Sequence, residues 1–240
     1  MKPILFNTEM VRAILSGRKT VTRRVVKPQP ECAHSVLDFD EEKRTFDLLC
    51  GNGGFGGVFM DWAETVKAPF WPHDILYVRE TFTKYQTVNY VKCHDGRAFS
   101  EVSDGRFAYK ADGYESIEDL KDDIRLLSDC SFEAVEVWDD KWHPSIHMPR
   151  EAARIFLRVT DVQVERLQDI NDDEALKEGF GYFGAVDWIK SPFYDFRDTW
   201  DTLLKPKDRA LYGWQVNPWV WVVAFEKVSR EEALSCPSTT

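Results

Sequence analysis

The stretch Gly17-Arg18-Lys19-Thr20-Val21-Thr22-Arg23-Arg24 is the most informative part of this sequence. It places four cationic side chains and two hydroxyls within eight residues, in a chain whose formal net charge is -10. A local reversal of charge of this kind indicates an anionic or phosphate-bearing ligand, or chemistry that needs a lysine beside a hydroxyl. The alternative that the residues leave open is a solvated basic turn.

The residues before this stretch predict a short helix. Met10, Ala13 and Ile14 have the i, i+3, i+4 spacing of one helical face, and Thr8 is a suitable N-cap. Gly17 is a natural C-terminal stop, because glycine tolerates the left-handed conformation found there. We therefore expect the basic stretch to begin where this helix ends.

The residues after Lys19 predict a strand. Residues 20–26 are mostly β-branched and partly alternating, and Pro28 and Pro30 end the run. Residues three apart in a strand face opposite ways. Lys19 must therefore lie in the turn before the strand if its side chain is to converge with that of Thr22.

Further regular elements are indicated by periodicity and capping signals. Asn171 and Glu174 form a capping-box pattern for a helix that ends at Gly179. Phe193, Phe196 and Trp200 have helical spacing. Strands are expected at 75–82, at 154–166 with a bend at 160–161, and at 217–225 as a buried closing strand.

Two segments have weak periodicity and are interpreted as insertions. Residues 31–70 are expected to be irregular, with one candidate strand at 46–50 and a glycine-rich loop at 51–57. Residues 84–141 are acidic, with candidate strands at 107–110 and 132–137. Ser116 and Asp119 form a second capping-box pattern there, for a helix over 117–127.

Strands at irregular intervals with a few short helices predict an α+β fold built on a small β-barrel. The expected organisation is a single domain over 1–230 with insertions at about 31–70 and 84–141. Residues 231–240 are expected to be a polar tail.

Composition narrows the class of protein. Hydrophobic residues make up 43% and charged residues 30% of the chain, and no apolar run is long enough for a membrane span or a signal peptide. The five cysteines are widely spaced without a CxxC pair, which is typical of reduced thiols. Cys32 with His34 and Cys93 with His94 have no matching second pair. We expect a cytoplasmic protein with no metal, no cofactor and no membrane partner.

The distribution of charge indicates the kind of partner. Residues 1–30 carry seven Lys/Arg against one acid, whereas residues 95–140 carry fourteen acids against five bases. An acidic chain is poorly suited to bulk binding of duplex nucleic acid, which needs many cationic contacts on one face. A localised positive site suits one nucleotide or a short single strand of RNA, on whose bases a few exposed aromatic rings could stack.

Three residues suggest chemistry. A threonine hydroxyl such as that of Thr22 is a poor nucleophile unless a neighbour removes its proton. Lys19 lies among other cations, which push its pKa towards a value where it can act as that base. Glu178 lies in the last turn of its predicted helix, where a cation is preferred, and such local inconsistencies are enriched at functional sites. Together these three side chains make a reasonable amide-hydrolysing set.

Six stretches of the sequence form a recognisable set of motifs. They are ILSGRKTVTRR at 14–24, DILYVRE at 74–80, PSIHMPR at 144–150, LQDI at 167–170, ALKE at 175–178 and YGWQVNPWVW at 212–221. Together they resemble the ASCH family, whose members have a PUA-like β-barrel with a ligand cleft beside the first helix. The resemblance covers both ends of the chain and residues 71–83, and it is weak over 31–70 and 84–141. PSIHMPR and YGWQVNPWVW are similar to a longer form found in bacteriophage and prophage genomes.

The resemblance implies an activity. Small bacterial members of the family are amidohydrolases that release acetate from N4-acetylcytidine, and their Lys, Thr and Glu triad falls on Lys19, Thr22 and Glu178. Glu174 is the rival for the carboxylate position. Other relatives are described as RNA-binding or ribonucleolytic, so a non-catalytic RNA-binding or nucleotide-binding module is the alternative. A phage accessory protein that acts on a protein partner is the third hypothesis.

Five further residues are predicted to contact the substrate. Arg18 and Arg23 belong to the basic stretch. Arg79 and Glu80 end a predicted strand and point to opposite sides of it. His147 lies in a proline-bracketed loop that could form a pocket wall. The expected ligand is a modified pyrimidine nucleoside or single-stranded RNA, and the sequence leaves the oligomeric state open.

Overall fold

The computed structural model describes residues 1–31, 33–50, 62–92, 98–102, 106–120, 133–137, 141–181 and 191–235. The glycine-rich stretch 51–57, Cys32 and the pair Cys93–His94 lie outside these residues. So does the predicted helix beyond residue 120.

The chain divides into two compact units, and it passes between them more than once. One unit contains Ala13–Leu76 and Leu157–Thr240, and the other contains Lys2–Arg12 and Tyr77–Phe156. We name them the first unit and the second unit. The boundaries fall within helix α1 (Thr8–Leu15), within strand β6 (Ile75–Arg79) and at the start of strand β11 (Phe156–Arg166).

The first unit contains two groups of paired strands. They are β2 (Val21–Val25), β3 (Ala33–Asp40), β4 (Thr45–Cys50), β5 (Trp62–Lys67), β11 and β12 (Trp219–Val228). Strand β12 lies between β2 and β11, and it pairs antiparallel with β2, with Thr22 opposite Val223. A separate antiparallel sheet has the order β3-β4-β5.

The three-stranded sheet corrects the expectation that residues 31–70 are irregular. Its central strand β4 alternates between half-buried and buried residues, and Phe46, Leu48 and Cys50 form its buried face. Strand β3 was not predicted because Val36, Leu37 and Phe39 are apolar but largely exposed. The segment therefore lacks the alternation of apolar and polar residues that is typical of a half-buried strand. Strand β4 confirms the candidate strand at 46–50.

The helices of the first unit are α3 (Asp172–Lys177), α4 (Pro192–Leu203), α5 (Arg209–Tyr212) and α6 (Arg230–Ser235), and short 3-10 turns occur at Leu167–Asp169, Pro206–Asp208 and Trp214–Val216. A cluster between α3, α4 and β12 holds Ala175, Phe196, Trp200 and Val220, with Phe180 packed beside them. Helix α4 confirms the predicted helical spacing of Phe193, Phe196 and Trp200.

Helix α1 confirms the predicted helix but corrects its N-cap. The Asn7 side chain, not that of Thr8, accepts the backbone N–H of Met10 at 2.8 Å. The helix ends as predicted at Gly17, which has φ +75°. Gly17 N donates to the Ile14 carbonyl and Arg18 N to the Ala13 carbonyl, which is the two-bond pattern of a Schellman motif.

Helix α3 confirms the predicted capping box and its glycine stop. Asn171 accepts the Glu174 N–H at 3.0 Å, and the Glu174 carboxylate accepts the Asn171 N–H at 3.2 Å. Gly179 has φ +93°, and Gly179 and Phe180 donate to the carbonyls of Leu176 and Ala175. This helix therefore ends in a second Schellman motif.

The second unit is organised around the long strand β7. This strand pairs with β8, β9 and β10, and β1 pairs with β6. Its helices are α1 in part, α2, described at 117–120, and 3-10 turns at Lys110–Asp112, Ser145–His147 and Arg150–Ala152. Its strands are β1 (Lys2–Leu5), β7 (Phe82–Lys92), β8 (Ala98–Val102), β9 (Arg106–Tyr109) and β10 (Glu133–Val137).

The protein is therefore α+β, as the sequence predicts. Among the strands of the described ranges no closed barrel is seen. The expected polar tail contains helix α6, whose Ser229–Glu232 capping box and buried Ala233 give it a regular structure as far as Ser235. In the described part of the chain, no helix is both long and apolar enough to cross a membrane.

Candidate active site

Lys19 lies in the connection between α1 and β2, and therefore before the strand, as predicted. Its backbone N–H is bonded to the Ala13 carbonyl at 3.0 Å, and it forms an isolated antiparallel bridge with Glu178. The next residue, Thr20, donates its N–H to the Lys177 carbonyl at 2.8 Å. The Schellman end of α1 therefore directs the basic stretch along the C-terminal end of α3.

The Lys19 side chain makes two bonds to Glu178. Its Nζ donates to the Glu178 carboxylate Oε2 at 2.5 Å and to the Glu178 backbone carbonyl at 2.9 Å. The side chains are only 1% and 4% exposed, so the pair is removed from water. The ammonium also lies at the C-terminal end of α3, where the helix dipole favours a positive charge.

The chemical state of Lys19 is set by its surroundings. Burial lowers the pKa of Lys19, and the charges of Arg24 and Arg23 lower it further, whereas Glu178 acts in the opposite direction. A lowered pKa makes the neutral amine accessible nearer to neutral pH, which is the property that a general base requires.

Arg23 lies at the centre of a cluster of carboxylates. Its guanidinium donates to Glu165 Oε1 at 2.6 Å and 3.0 Å and to Glu174 Oε2 at 2.9 Å. Its Nη1 lies 3.5 Å from Glu178 Oε1, and within the described residues neither of these two atoms has a hydrogen-bond partner. The Arg23 side chain has no exposed surface.

The hydrogen bonds of this cluster distinguish Glu178 from Glu174, the two candidates for the catalytic carboxylate. Glu178 bonds to Lys19, whereas Glu174 caps its own helix and holds Arg23. Glu165, on β11, is the third carboxylate, and burial raises its pKa although Arg23 acts against that rise. The geometry thus places Glu178, and not Glu174, beside the candidate base.

Thr22 and Arg24 occupy the same strand as Arg23. Thr22 is buried in β2, and Arg24 shares its face because side chains alternate along a strand. Burial lowers the pKa of Arg24, while the charge of Glu178 raises it. Glu178 therefore interacts with Lys19, Arg23 and Arg24 together.

Arg18 differs from the other cations in being exposed. It donates to the Gly179 carbonyl at 3.0 Å and to the Ser16 hydroxyl at 3.1 Å. Together with Thr20, Lys177 and Phe180 it lines an open recess of about 280 Å³. Lys19, Thr22 and Glu178 are not among the lining residues of this recess.

Arg79, Glu80 and His147 belong to the second unit. Arg79 donates to the carbonyls of Met148, at 3.0 Å, and Ile146, and so holds the loop that carries the exposed His147.

Glu80 is 1% exposed and is held by Arg154 through bonds of 2.9 and 3.0 Å. Arg154 also pairs with Asp112 and lies 3.9 Å above the Tyr109 ring centre. Through these contacts Arg79 and Glu80 each hold together separate segments of the second unit.

Two residues of these networks were missed by sequence reasoning. Glu165 alternates with the buried Val162 and Val164 in β11, which is the pattern of an ordinary outward-facing polar residue, so it gave no signal. Arg154 gave none either, because its partners Glu80 and Asp112 are distant in sequence. Pairings of this kind are set by tertiary structure and not by local pattern.

The comparisons with known proteins do not extend this description. Protein-family models, curated proteins and solved structures were searched, and none of them matches the chain.

Proposed function

We propose that this protein is a hydrolase that removes the acyl group from N4-acylated cytidine or a related modified nucleoside. The observation that carries the proposal is the buried contact between Lys19 and Glu178. A lysine with a lowered pKa can act as a general base, and Thr22, three residues further along the chain, is the hydroxyl that we assign to it. The resemblance of residues 14–24 to the ASCH motif supports the same assignment.

The three side chains carry out the proposed reaction in two stages, through an acyl-enzyme intermediate. Neutral Lys19 accepts the Thr22 hydroxyl proton as the oxygen attacks the amide carbonyl, and Glu178 orients the lysine. The tetrahedral intermediate collapses when Lys19 returns the proton to the leaving N4 amine, which leaves a threonyl ester. Water, deprotonated by Lys19, then releases the carboxylic acid and restores the threonine.

The proposal includes the finer fold that the resemblance implies. This is a PUA-like barrel in one domain over 1–230, with insertions at about 31–70 and 84–141 and a cleft beside the first helix. The recess lined by Gly17, Arg18 and Thr20, at the C-terminal end of α1, supports a cleft in that position. An experimental structure with bound N4-acetylcytidine tests both the barrel and the cleft.

Turnover of N4-acetylcytidine, followed as release of acetate and cytidine, tests the activity. Thr22→Val keeps the shape of the buried side chain and removes its hydroxyl, so we expect turnover to fall by at least roughly a thousandfold. Thr65→Val removes an exposed hydroxyl from β5 and is the matched control, with unchanged turnover expected. Wild-type protein without turnover, or Thr22→Val with normal turnover, contradicts the proposal.

A second candidate is a non-catalytic module that binds RNA or a modified nucleotide. The recess favours it, because Arg18 and Lys177 are exposed cations beside the Phe180 ring, whereas the proposed catalytic residues are buried. Such a module binds single-stranded RNA with a steep salt dependence. Its affinity is insensitive to Thr22→Val but falls in Lys177→Ala, a pattern that distinguishes it from the hydrolase.

A further inference from the structure

A second cavity lies in the first unit and shares no lining residue with the Lys19 cluster or the Arg18 recess. It encloses about 420 Å³, which is within the range of roughly 300–1,000 Å³ found for small-molecule sites. Its walls come from the β3–β4 hairpin, the turn before β6 and the middle of β11. None of the hypotheses drawn from the sequence assigns a role to it.

Three aromatic rings form a continuous part of the wall. The ring centres of Phe39 and Phe46 are 6.1 Å apart, and those of Phe46 and Trp71 are 5.6 Å apart. Phe46 is buried and fixes the group, whereas Phe39 leaves 54% of its surface exposed. Ring faces of this kind attract cations, especially alkylated ammonium groups.

The charge of the lining has one sign. Glu41 and Asp161 contribute two carboxylates, and no lysine or arginine is among the lining residues that the structure describes. The nearest cations of the hairpin are engaged elsewhere, since Arg44 bonds to Asp74 at 3.1 Å and Lys43 to Asp40 at 2.6 Å. The two carboxylates would repel a phosphate, whereas both the carboxylates and the aromatic rings would attract a cation.

The turn that carries Trp71 is held by hydrogen bonds to its own residues. The Asp74 carboxylate accepts the Trp71 N–H at 2.9 Å, and Asp74 N donates to the Trp71 carbonyl at 3.0 Å. His73, also in the lining, is held at φ +72° by its N–H bond to the Val159 carbonyl. A left-handed non-glycine residue costs free energy and is enriched at ligand sites.

We infer that this cavity binds a small organic cation that carries an alkylated ammonium group. The rings of Phe39 and Trp71 contact the alkyl groups, and the carboxylates of Glu41 and Asp161 balance the charge. The site is independent of the proposed hydrolase activity, because none of its residues belongs to that cluster.

Choline and its uncharged isostere 3,3-dimethylbutan-1-ol are the probes, titrated separately into the full chain and followed by calorimetry and by amide chemical shifts. We expect choline to bind with a millimolar Kd and to shift the amides of Phe39 and Trp71. We expect the neutral alcohol to bind at least roughly five times more weakly, because it lacks the attraction to rings and carboxylates. Equal binding of both probes, tighter binding of cytidine than of choline, or no choline binding at 50 mM, roughly tenfold above the expected Kd, overturns the inference.

Two matched pairs of variants locate the site. Phe39→Ala and Leu37→Ala both truncate exposed side chains of β3, but only Phe39 lines the cavity. Glu41→Gln and Glu42→Gln both remove an exposed carboxylate from the hairpin turn, but only Glu41 lines the cavity. We expect Phe39→Ala and Glu41→Gln each to weaken choline binding roughly two- to fivefold, and their partners to leave it unchanged. Equal effects within either pair contradict the assignment.

Discussion

Glu178 occupies a position that a helix alone disfavours, because its carboxylate lies at the negative end of the α3 dipole. The structure supplies the missing positive charge from outside the helix, since Lys19 bonds to both the carboxylate and the carbonyl of Glu178. The unfavourable placement of one residue is thus offset by a residue 159 positions earlier. This pairing makes the two residues dependent on each other.

Removing the Glu178 charge should therefore be costly. In Glu178→Gln the buried Lys19 loses its counter-charge, and we expect the free energy of unfolding to fall by about 3–5 kcal/mol. The matched control is Glu9→Gln, which also removes a glutamate paired with a cation at 2.8 Å but at an exposed position, and should change stability by at most about 0.5 kcal/mol. Urea unfolding measures both. Similar values for the two variants would show that the buried pair adds little.

The lowered pKa of Lys19 predicts a pH dependence of stability. Burial lowers that pKa below its ordinary value of 10.5, so between the lowered pKa and 10.5 the unfolded chain binds more protons than the folded chain. The contribution of Lys19 to stability therefore rises with pH over this window. The free energies of unfolding of wild type and Lys19→Met are measured from pH 7 to pH 10. Their difference, wild type minus variant, should increase with pH.

Lys43 is the control for this measurement, because the hydrogen bond that it donates to the Asp40 carboxylate raises its pKa. Its contribution is present below pH 10.5 and is lost only as pH rises through the raised pKa, so the wild-type advantage over Lys43→Met should stay constant between pH 7 and pH 10. A wild-type advantage over Lys19→Met that is flat or falls with pH would show that Lys19 is charged in the folded protein throughout this range.

The family resemblance implied that Lys19 and Glu178 act together and left Glu174 as the rival carboxylate, and in the structure Lys19 bonds to Glu178. The surroundings of this pair were not predicted. Arg23 was expected to contact substrate, and the structure places its guanidinium among Glu165, Glu174 and Glu178. Nothing local distinguishes an arginine that faces a ligand from one that faces carboxylates of another element.

At the scale of elements, the site is shaped by two helix ends. Helices α1 and α3 both end in Schellman motifs, at Gly17 and Gly179, and the chain between α1 and β2 runs past the end of α3. The two glycines differ in their surroundings. A Cβ on Gly179 would lie 2.9 Å from the Ala13 Cβ and 3.2 Å from the Lys19 Cβ, whereas a Cβ on Gly17 meets nothing within 4 Å.

This difference makes the glycines a matched pair for mutation. Gly17→Ala introduces only the cost of a left-handed alanine, about 1–2 kcal/mol. Gly179→Ala adds overpacking against Ala13 and Lys19, so we expect a loss of about 2–4 kcal/mol. Thermal or urea unfolding measures both, and turnover of N4-acetylcytidine should fall only in Gly179→Ala, because the Lys19 side chain must shift. An equal loss of stability in the two variants would contradict the close approach.

Helices with both a capping signal and a glycine stop were predicted well, as α3 shows, because these signals are local. The N-cap of α1 was misassigned by one residue, since Asn7 and Thr8 are both good caps and only the geometry chooses between them. Strand β3 was missed because its exposed apolar residues give no alternation. Part of that exposed surface lines the second cavity.

At the scale of the whole molecule, the first unit is assembled from segments that are far apart in sequence. Strand β2 pairs with β12, and Lys19 with Glu178, although Tyr77–Phe156 in between belongs to the second unit. The sequence indicated insertions but not that the chain divides into two units. Contacts between distant segments determine that division, and they leave no periodic signal.

This organisation predicts the effect of truncation. A chain ending at residue 156 lacks β11 and β12, so we expect β2 to have no amide protection in hydrogen exchange and the first unit to lose cooperative unfolding. A chain ending at residue 228 keeps both strands and loses α6. It should unfold cooperatively with a loss of about 1 kcal/mol, because the contacts of the buried Ala233 are removed. Native-like protection of Val21–Val25 in the shorter chain would show that β2 is stable without β12.

The separation of Lys19 from Glu178 also has a consequence during synthesis on the ribosome. At about 5–20 residues per second, the 159 residues between them take roughly 8–30 seconds to translate. For that time the basic stretch Gly17–Arg24 lacks the carboxylates of Glu165, Glu174 and Glu178, so its buried ion pairs can form only after residue 178 has been synthesised.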